Sequence, residues 1–297
     1  MKKILISGSN GFVGQNLCKK LHEFEDFEIY ETGDSKSSNL CDASVVNNLP
    51  SCDVVVHLAA KSFVPDSFIN PSLFYKNNID TTINLLEKAR MDGSKFIFLS
   101  TYVYGTPKYQ PIDEEHPINA LNPYTQSKLV CEDICKAYSR DFGVPVIIFR
   151  PFNVYGKKQN SNFFIPTIIS QLNKEFITLK DPRPKRDFIY VDDLVSAIFS
   201  GIVMDFFGVE IYNIGSGVSV SVKETVEMIV QASNSKAKIE FTNEIRKGEV
   251  LDTIADISKA RRILGWSPKI NMMDGLKKLI LKGNFNRCLK FGHTNGE

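Results

Sequence analysis

The sequence predicts an α/β protein with a doubly wound parallel sheet, followed by a smaller C-terminal α/β lobe. Short unbroken runs of Val, Ile and Leu alternate with longer amphipathic stretches, as is typical of buried parallel strands separated by helices. A glycine-rich turn joins the first such strand to the first helix. At 297 residues the chain also exceeds the usual size of a small domain, so one large domain or two lobes are expected.

The N-terminal half alternates regularly between strands and helices. Residues 53–60 include Val54-Val55-Val56, a β-branched run that indicates a strand buried on both faces. Residues 75–91 place apolar side chains at helical spacing. The predicted strands cover residues 3–7, 28–31, 53–60, 96–100 and 144–150, and the predicted helices cover 14–24, 75–91 and 123–142.

The alternation loosens after residue 151, which suggests a second lobe. Residues 283–297 are polar and are predicted to form a mobile tail. Helices are predicted over 163–173, 191–203, 222–232, 258–264 and 274–281, and strands over 210–214 and 238–242. The first domain is assigned residues 1–156, with 186–203 returning to it, and the smaller lobe is assigned 157–185 and 204–282.

Composition and charge argue against several classes of protein. The 36 Lys and Arg residues nearly balance the 34 Asp and Glu residues, which argues against nucleic acid as the main partner. No run of 18 apolar residues occurs, so neither a transmembrane helix nor a membrane partner is expected. The six cysteines form no Cys-x-x-Cys pair and only four histidines accompany them, which argues against a disulfide framework or a metal site. This usage fits a reducing, cytoplasmic location. Cys131 and Cys135, at i,i+4, are expected to face the core.

Three glycines, at positions 8, 11 and 14, follow the first predicted strand and open the first predicted helix. Their spacing permits a tight turn, a close approach of the backbone to a pyrophosphate, and close packing of the helix on the strand. The free N–H groups of the helix N-terminus then face the phosphates, so this turn predicts nucleotide binding. The predicted cofactor-binding residues of the turn are Gly8, Asn10, Gly11, Phe12, Val13 and Gly14.

Tyr124 and Lys128 lie four residues apart near the start of a predicted helix, so their side chains share one face. A phenol loses its proton near pH 10, and a neighbouring ammonium favours the charged form. Such a tyrosine exchanges a proton with a sugar or alcohol hydroxyl while hydride moves. Ser100 ends a predicted strand at the carboxyl edge of the sheet, where its hydroxyl is placed to orient the substrate oxygen. The Tyr-x-x-x-Lys pattern alone is common on solvated helix faces. The hypothesis of a catalytic pair therefore depends on the hydroxyl of Ser100 at the neighbouring strand end.

Ser100, Tyr124 and Lys128, together with the Gly-x-x-Gly-x-x-Gly turn, resemble the catalytic triad and cofactor turn of the extended short-chain dehydrogenase/reductase superfamily. The resemblance is to its nucleotide-sugar branch, the NAD-dependent epimerase/dehydratase family, and it extends from Gly8 to Pro268. It implies a Rossmann-type fold, NAD or NADP as cofactor, and a nucleoside-diphosphate sugar as substrate. It also implies that Lys128 hydrogen bonds the nicotinamide ribose, and that the positive charge of an oxidised nicotinamide adds to that of Lys128 in favouring tyrosinate.

The resemblance assigns further residues to the cofactor. Asp34 is the expected ribose-binding acid and favours NAD, while Lys36 leaves NADP possible. The remaining implied contacts are Asn39 and Leu40 beside the adenine, Leu58, Ala59 and Ala60 after the third strand, Asn78 in support of the site, and Pro151 near the nicotinamide.

The same resemblance places the substrate in a cleft between the two lobes. Asn153 is the expected sugar contact, although Asn is also a common turn residue. Arg186 and Arg246 are expected at the diphosphate, because a planar guanidinium suits phosphate recognition; the alternative for each is a surface cation. Ser100, Tyr102, Tyr124 and Glu249 complete the implied substrate-binding set.

One departure from the family pattern restricts the predicted reaction. Thr101 and Tyr102 stand where the family's 4,6-dehydratases carry acidic residues, so elimination of water lacks its acid and base. We therefore favour an NAD-dependent nucleotide-sugar 4-epimerase of the UDP-hexose type over an NAD(P)H-dependent reductase of a nucleoside-diphosphate-4-keto-6-deoxy-sugar. A non-catalytic sensor of NAD(P) or sugar nucleotide is the third hypothesis. The nucleotide base, the sugar and the stereochemical outcome are not set by these motifs.

The resemblance also bears on assembly and pathway. The helices predicted over 75–91 and 123–142 resemble those that build the family's four-helix bundle between subunits, so a homodimer is expected. The family further implies a role in the synthesis of polysaccharide or glycoconjugate precursors.

Overall fold

The computed structural model describes residues 1–33, 39–246 and 248–281. Asp34 and Lys36, to which the sequence assigns cofactor selectivity, and the predicted tail 283–297 lie outside the described residues. Within the described ranges no helix combines the length and the apolar character needed to cross a bilayer. In chain order the elements are β1 (Lys2–Ser7), α1 (Phe12–Leu21), β2 (Phe27–Thr32), α2 (Ala43–Asn47), β3 (Val54–His57), α3 (Val64–Ile69), α4 (Pro71–Asp92), β4 (Lys95–Leu99), α5 (Pro123–Phe142), β5 (Val146–Pro151), β6 (Asn153–Tyr155), α6 (Phe164–Ile169), β7 (Phe176–Leu179), β8 (Lys185–Tyr190), α7 (Val191–Val203), β9 (Val209–Ile214), β10 (Ser219–Ser221), α8 (Val222–Ser233), β11 (Lys238–Phe241), α9 (Ser258–Arg262) and α10 (Met272–Leu281).

Six strands form one parallel sheet in the order β2-β1-β3-β4-β5-β9. Its central strands are buried on both faces, as shown by Ile4, Leu5 and Ile6, each 0% exposed. This double burial explains why these strands appear in the sequence as continuous apolar runs and not as an alternation of apolar and polar residues. The predicted doubly wound α/β class is confirmed.

Alternate residues of each strand enter two separate cores, one on each face of the sheet. Ile4 and Ile6 of β1 belong to the core beneath α1 and α7, whereas Leu5 belongs to the core beneath α4 and α5. Cys131 and Cys135 lie in this second core and are 0% exposed, so the prediction that both thiols face the core is confirmed. Helices therefore cover both faces and leave the carboxyl edge of the sheet for the site.

Helix α5 coincides with the predicted helix because both of its ends are encoded locally. Asn122 Oδ1 accepts a hydrogen bond from Thr125 N at 2.8 Å, and Pro123 occupies the first helical position. Gly143 ends the helix with a φ of 72°, the left-handed conformation that favours glycine. Tyr124 is thereby fixed in the first turn of α5.

The smaller lobe contains two further sheets, in the orders β10-β8-β6 and β11-β7. The predicted boundaries place residues 204–282 in this lobe, but β9 pairs with β5 along its whole length and completes the main sheet. This pairing satisfies the backbone hydrogen bonds of β9 and buries Tyr212 and Ile214. Helix α7 packs against α1, so residues 191–203 also lie on the main sheet. The division of the chain into a dinucleotide-binding domain and a substrate lobe stays a prediction.

Candidate active site

The glycine turn after β1 has no room for side chains at two of its positions. Gly8 has a φ of +72°, which other residues rarely adopt. A Cβ on Gly8 would lie 2.8 Å from Ala59 N, and a Cβ on Gly14 would lie 2.1 Å from Gly8 O. The turn therefore packs directly against its own backbone and against the loop that follows β3. This close packing is the physical reason for glycine at positions 8 and 14.

The N-terminus of α1 has the properties of an anion-binding site. Gly11 is its N-cap and supplies no side-chain cap, and no acidic residue stands in the first turn. The first N–H groups of the helix are therefore left for another acceptor, at the positive end of the helix dipole. Asn10 and Gly11 are exposed, and Phe12 and Val13 are half-buried. This turn fits the pyrophosphate of NAD or NADP.

Replacing Gly14 with alanine is expected to raise the dissociation constant for the dinucleotide at least about tenfold, because the new Cβ would displace the Gly8 carbonyl from the turn. The measurement is the amount of cofactor bound by the purified variant at a fixed cofactor concentration. Gly93→Asn is the control, since asparagine tolerates the left-handed φ of +69° at this position and a Cβ there meets no atom within 4 Å. Equal cofactor content in Gly14→Ala and the unaltered chain would contradict the assignment.

A buried chain of hydrogen bonds ties the loop after β3 to β1. Ser7 Oγ accepts the N–H groups of Leu58 at 3.1 Å and Ala59 at 3.2 Å. Its own proton is therefore directed to His57 Nδ1, at 2.7 Å. His57 Nε2 then carries a hydrogen and donates it to Thr82 Oγ1 of α4 at 3.0 Å. The neutral imidazole of His57, 1% exposed, holds the loop where the glycine turn packs.

This histidine makes the stability of the fold pH-dependent. Burial lowers the pKa of His57 well below its usual value of 6.5, and the charge of Lys128 acts in the same direction. Below about pH 6.5 the unfolded chain binds a proton here and the folded chain does not, so acidification destabilises the fold. We expect the free energy of unfolding to fall by at most about 1.4 kcal/mol per pH unit from this group.

Urea unfolding at about pH 7.5 and about pH 5.5 measures this dependence. His57→Gln is expected to show a smaller difference between the two conditions than the unaltered chain. His22→Gln is the matched control, because the His22 side chain is 60% exposed. An unchanged pH dependence in His57→Gln would show that His57 stays protonatable in the fold.

Asn78 fastens the next part of the same loop. Its Oδ1 accepts a hydrogen bond from Lys61 N at 2.9 Å, and its Nδ2 donates to Lys61 O at 3.1 Å and to Ser127 Oγ of α5 at 2.9 Å. Asn78 is 1% exposed, so its amide supports the site from behind the loop. Leu58, Ala59 and Ala60 are half-buried at the carboxyl edge of the sheet, and Pro151 is buried at the end of β5.

The predicted adenine end of the site is described in part. Asn39 is exposed, and its Oδ1 accepts a hydrogen bond from Cys41 N at 3.3 Å. Leu40 is 7% exposed and belongs to the core beneath α4, with its carbonyl bonded to Asn84 Nδ2 at 2.9 Å. A Cβ on Gly33 would lie 2.6 Å from Ser9 Oγ, so the chain leaves β2 directly beside the glycine turn.

Lys128 follows Tyr124 by one helical turn and is 3% exposed. Its Nζ lies 4.2 Å from the centroid of the Phe98 ring, and no hydrogen bond joins it to a described residue. Burial lowers the pKa of Lys128 to about 8. A buried ammonium without an acceptor is costly, so this group fits a site that ligand hydroxyls, such as those of a ribose, complete.

Burial raises the pKa of Tyr124 in the protein without its cofactor, because desolvation disfavours the phenolate. The predicted ionised form requires two positive charges, that of Lys128 and that of an oxidised nicotinamide. It therefore stays a prediction.

A buried carboxylate stands behind the predicted triad. Ser100, 3% exposed, donates its hydroxyl proton to Glu132 Oε1. Glu132, on α5 and 0% exposed, also accepts Arg150 Nη2 at 2.6 Å and Nε at 3.1 Å. The motifs of the sequence did not identify Glu132 as a site residue. Its spacing was a usable signal, since it follows Lys128 by four residues and Tyr124 by eight.

Two of the predicted substrate contacts are brought together. Arg186, on β8, forms an ion pair with Glu249, and its Nη1 donates to Val250 O at 2.6 Å. Arg246 is exposed on the same connecting segment. Asn153, on β6, donates from Nδ2 to Asp187 O at 3.1 Å, so part of its amide already has a partner.

A cavity of about 430 Å³ opens in the smaller lobe, with Phe188 of β8 and Val220 of β10 in its lining. Val220 of β10 lies directly opposite Arg186 in the antiparallel pair, and Phe188 is two residues further along β8, so all three side chains share one face. The cavity is largely apolar and therefore suits a ring system better than a charged group. Its lining includes Phe188, Val218, Val220, Met228, Ile270 and Met272.

The glycine turn fits a pyrophosphate, and the Tyr124–Lys128 pair lies at the same edge of the parallel sheet. Together these two features define a dinucleotide-dependent enzyme of the short-chain dehydrogenase/reductase type. The chain belongs to the NAD dependent epimerase/dehydratase family, whose model matches residues 4–215. The resemblance predicted from the motifs is thereby confirmed.

Relatives cover nearly the whole chain. A putative UDP-glucose 4-epimerase of Methanocaldococcus jannaschii is 35% identical in an alignment of 309 positions that covers 93% of this chain and 97% of the relative. The structure of UDP-glucuronic acid 4-epimerase from Bacillus cereus with UDP-glucuronic acid and NAD is 29% identical, with a TM-score of 0.83 over 94% of this chain and 98% of that one. RMD from Pseudomonas aeruginosa complexed with NADPH is 25% identical, with a TM-score of 0.88 over 95% and 98%. These structural neighbours bind NAD or NADPH.

Proposed function

We propose that this chain is an NAD-dependent nucleotide-sugar 4-epimerase that acts on a UDP-hexose through a transient 4-keto sugar. The observation that carries the proposal is the Tyr124–Lys128 pair on successive turns of α5, beside a β4 end that presents Thr101 and no carboxylate. Such a pair moves a proton at a sugar hydroxyl, while the segment lacks the acid and base that dehydration needs. Full-length similarity to proteins named as 4-epimerases supports the same reaction.

In this mechanism the bound nicotinamide supplies the acceptor and donor of hydride for the sugar carbon. Tyr124, as tyrosinate, takes the proton of the C4 hydroxyl and returns it after the keto sugar has turned its other face. Because burial raises the pKa of Tyr124, its ionised form depends on the positive charge of an oxidised nicotinamide nearby. Lys128 is proposed to hydrogen bond the nicotinamide ribose and to keep a second positive charge at the phenolate.

The smaller lobe is proposed to hold the nucleotide part of the substrate. Arg186 and Arg246 bind the diphosphate, and Glu249, which pairs with Arg186, then becomes available to a ribose hydroxyl. The cavity lined by Phe188, which lies on the same face of β8 as Arg186, takes the nucleoside. The free part of the Asn153 amide and the Tyr102 side chain contact the sugar.

The second candidate is a reductase of a 4-keto-sugar nucleotide, favoured by the high structural similarity to RMD with NADPH. In this reaction the sugar arrives already oxidised, hydride is delivered once, and Tyr124 gives a proton to the keto oxygen. In this case the protein would release an oxidised cofactor after each turnover. The same residues serve both reactions, so the cofactor's residence time distinguishes them.

The test is to denature the purified protein and identify any released nucleotide by mass. We expect stoichiometric NAD without its addition, because an epimerase regenerates its cofactor in every turnover. Recovery of empty protein that binds NADPH more tightly than NADH would replace the epimerase with the reductase. Substrate screening would then begin with keto-sugar nucleotides.

We also propose that the enzyme is a cytoplasmic homodimer joined through α4 and α5. Ile83 of α4 and Leu129 and Val130 of α5 are apolar and only half-buried in the single chain, which supports a further partner surface there. Sedimentation at several concentrations tests the dimer, and Ile83→Arg is expected to weaken it. A monomer mass at every concentration would contradict it.

A further inference from the structure

A second buried carboxylate, Asp187, stands on β8 of the smaller lobe and is 0% exposed. Its Oδ1 accepts hydrogen bonds from Ser216 N at 2.6 Å and Ser216 Oγ at 2.7 Å. Its Oδ2 accepts Gly217 N at 2.9 Å and Ala255 N at 3.1 Å. A carboxylate has about four acceptor positions, so all of them are filled within the protein. The side chain of Asp187 therefore holds segments of the chain together and has no position left for a ligand.

The donors to this carboxylate belong to two segments that are distant in the sequence. Ser216 and Gly217 form the turn by which the chain leaves β9 of the main sheet and enters β10, which pairs with β8. Ala255 lies between β11 and α9, and it forms a bridge with Ile112 of the loop after β4. Asp187, Ser216, Gly217 and Ala255 together form the Asp187 junction. This junction joins the smaller lobe to the carboxyl edge of the main sheet.

The Asp187 junction is closely packed. A Cβ on Gly215 would lie 2.6 Å from Ala255 Cβ and 2.8 Å from Asp187 Oδ2, so only glycine lets the turn approach both groups. Ala255 is 2% exposed, so water has little access to its N–H group. Loss of an acceptor at this place would leave a backbone N–H group without a partner, which is costly. The segments would then have to shift relative to one another.

The proposed substrate contacts adjoin the Asp187 junction on two sides. Arg186 precedes Asp187 in β8 and pairs with Glu249, on the segment that continues to Ala255. On the other side, Asn153 Nδ2 donates to the carbonyl oxygen of Asp187 at 3.1 Å. A shift of the junction would therefore move the diphosphate contacts relative to the main sheet.

We propose that Asp187 is a positioning residue for the nucleotide sugar. Its carboxylate fixes the strand of Arg186 and the segment of Glu249 against the main sheet, which carries Tyr124 and the proposed cofactor site. This inference rests on the proposed function and adds a residue that acts on the substrate through its neighbours. The positioned contacts hold the diphosphate, away from the reacting carbon, so they act alike on the ground state and the transition state. Their displacement therefore weakens binding more than it slows the chemical step.

The test compares Asp187→Asn with the unaltered protein, each with its bound cofactor. Asparagine keeps the volume, but in either orientation its NH2 group meets a backbone N–H, because each oxygen of Asp187 accepts one. We expect the Kd for UDP, measured by calorimetry, to rise about 10- to 100-fold. With a UDP-hexose as substrate, KM should rise by a similar factor, whereas kcat should change by less than about threefold.

Ser216→Ala is a milder variant of the same junction. It removes one of the donors to Asp187 and keeps the backbone of the turn, so a folded protein with a Kd for UDP about three- to tenfold higher is expected. Asp92→Asn is the matched control, because Asp92 pairs with Lys88 and accepts Cys52 N at 3.2 Å at the amino edge of the sheet. This control should lower the melting temperature and leave the affinity for UDP unchanged.

Hydrogen exchange reports on the junction without any ligand. Amides of residues 215–217 and 253–256 should exchange faster in Asp187→Asn, while those of α5 keep their protection. An unchanged affinity for UDP in Asp187→Asn, or a fall in kcat at unchanged KM, would overturn the proposal, since the first is the pattern of a merely structural residue. UDP binding is measured without turnover. A lack of epimerase activity would therefore count against the proposed function and not against the role of Asp187.

Discussion

Replacing Tyr124 with phenylalanine is expected to lower turnover by about 10² to 10⁴-fold while the protein keeps its cofactor. The phenol is the one acid–base group of the Tyr–Lys pair able to exchange a proton with the sugar, because Lys128 is directed to the cofactor. The substitution removes a single oxygen from a half-buried side chain in the first turn of α5, so the fold should persist. The measurement is kcat with a UDP-hexose, together with the mass of the bound dinucleotide.

The matched control is Tyr138→Phe. Tyr138 lies on the same helix, about four turns after Tyr124, and its hydroxyl donates to Glu87 Oε1 at 2.6 Å. This control should retain full turnover. If Tyr124→Phe also retained turnover, a catalytic role for the pair would be excluded. A chain that binds sugar nucleotide equally well with either residue, and turns over with neither, would instead be a sensor.

The elements that the sequence predicts best are those whose signals are local. The ends of α5 are correct because Asn122, Pro123 and Gly143 act within one turn of the helix. The glycine turn is predictable for the same reason, since its three glycines and the strand before them are contiguous. Tyr124 and Lys128 share a helix face by spacing alone, so their juxtaposition follows once the helix is assigned.

The parts that escape prediction depend on partners far away in the chain. β9 joins the main sheet because β5 has an edge that is otherwise unpaired. The residues of β9, Val209–Ile214, do not by themselves indicate which strand they pair with. β6, β8 and β10 are three to six residues long and exist through pairing with one another. The burial that raises the pKa of Tyr124 in the protein without its cofactor is likewise not predictable from spacing, because burial depth depends on the elements that pack around the helix.

Glu132 illustrates the same limit at the site. A carboxylate on the buried face of a helix conflicts with the apolar pattern until Arg150, 18 residues later, is known to meet it. Its significance depends further on Ser100, which comes from a third element. The sequence therefore supplies each of these residues, whereas the charge-assisted contact among them appears only in the folded chain.

Arg150→Met is expected to lower the free energy of unfolding by about 3–5 kcal/mol, the largest effect on stability that we predict. The variant keeps the volume of the stem but leaves the Glu132 charge buried with the Ser100 hydroxyl as its remaining donor. Urea unfolding of the protein with its bound cofactor measures the loss. Asp141→Asn is the matched control, because it removes one partner of the exposed Arg140–Asp141 pair and should produce no measurable change.

The double variant Glu132→Gln/Arg150→Met decides whether charge or packing causes this loss. It removes both charges and keeps an amide that can accept the Ser100 proton, so we expect it to recover most of the stability lost in Arg150→Met. Recovery would show that the ion pair itself adds little net stability and that the buried, unpaired carboxylate is the costly state. If the double variant were as unstable as Arg150→Met, packing of the guanidinium against Tyr104, whose ring centroid is 5.2 Å away, would be the dominant contribution.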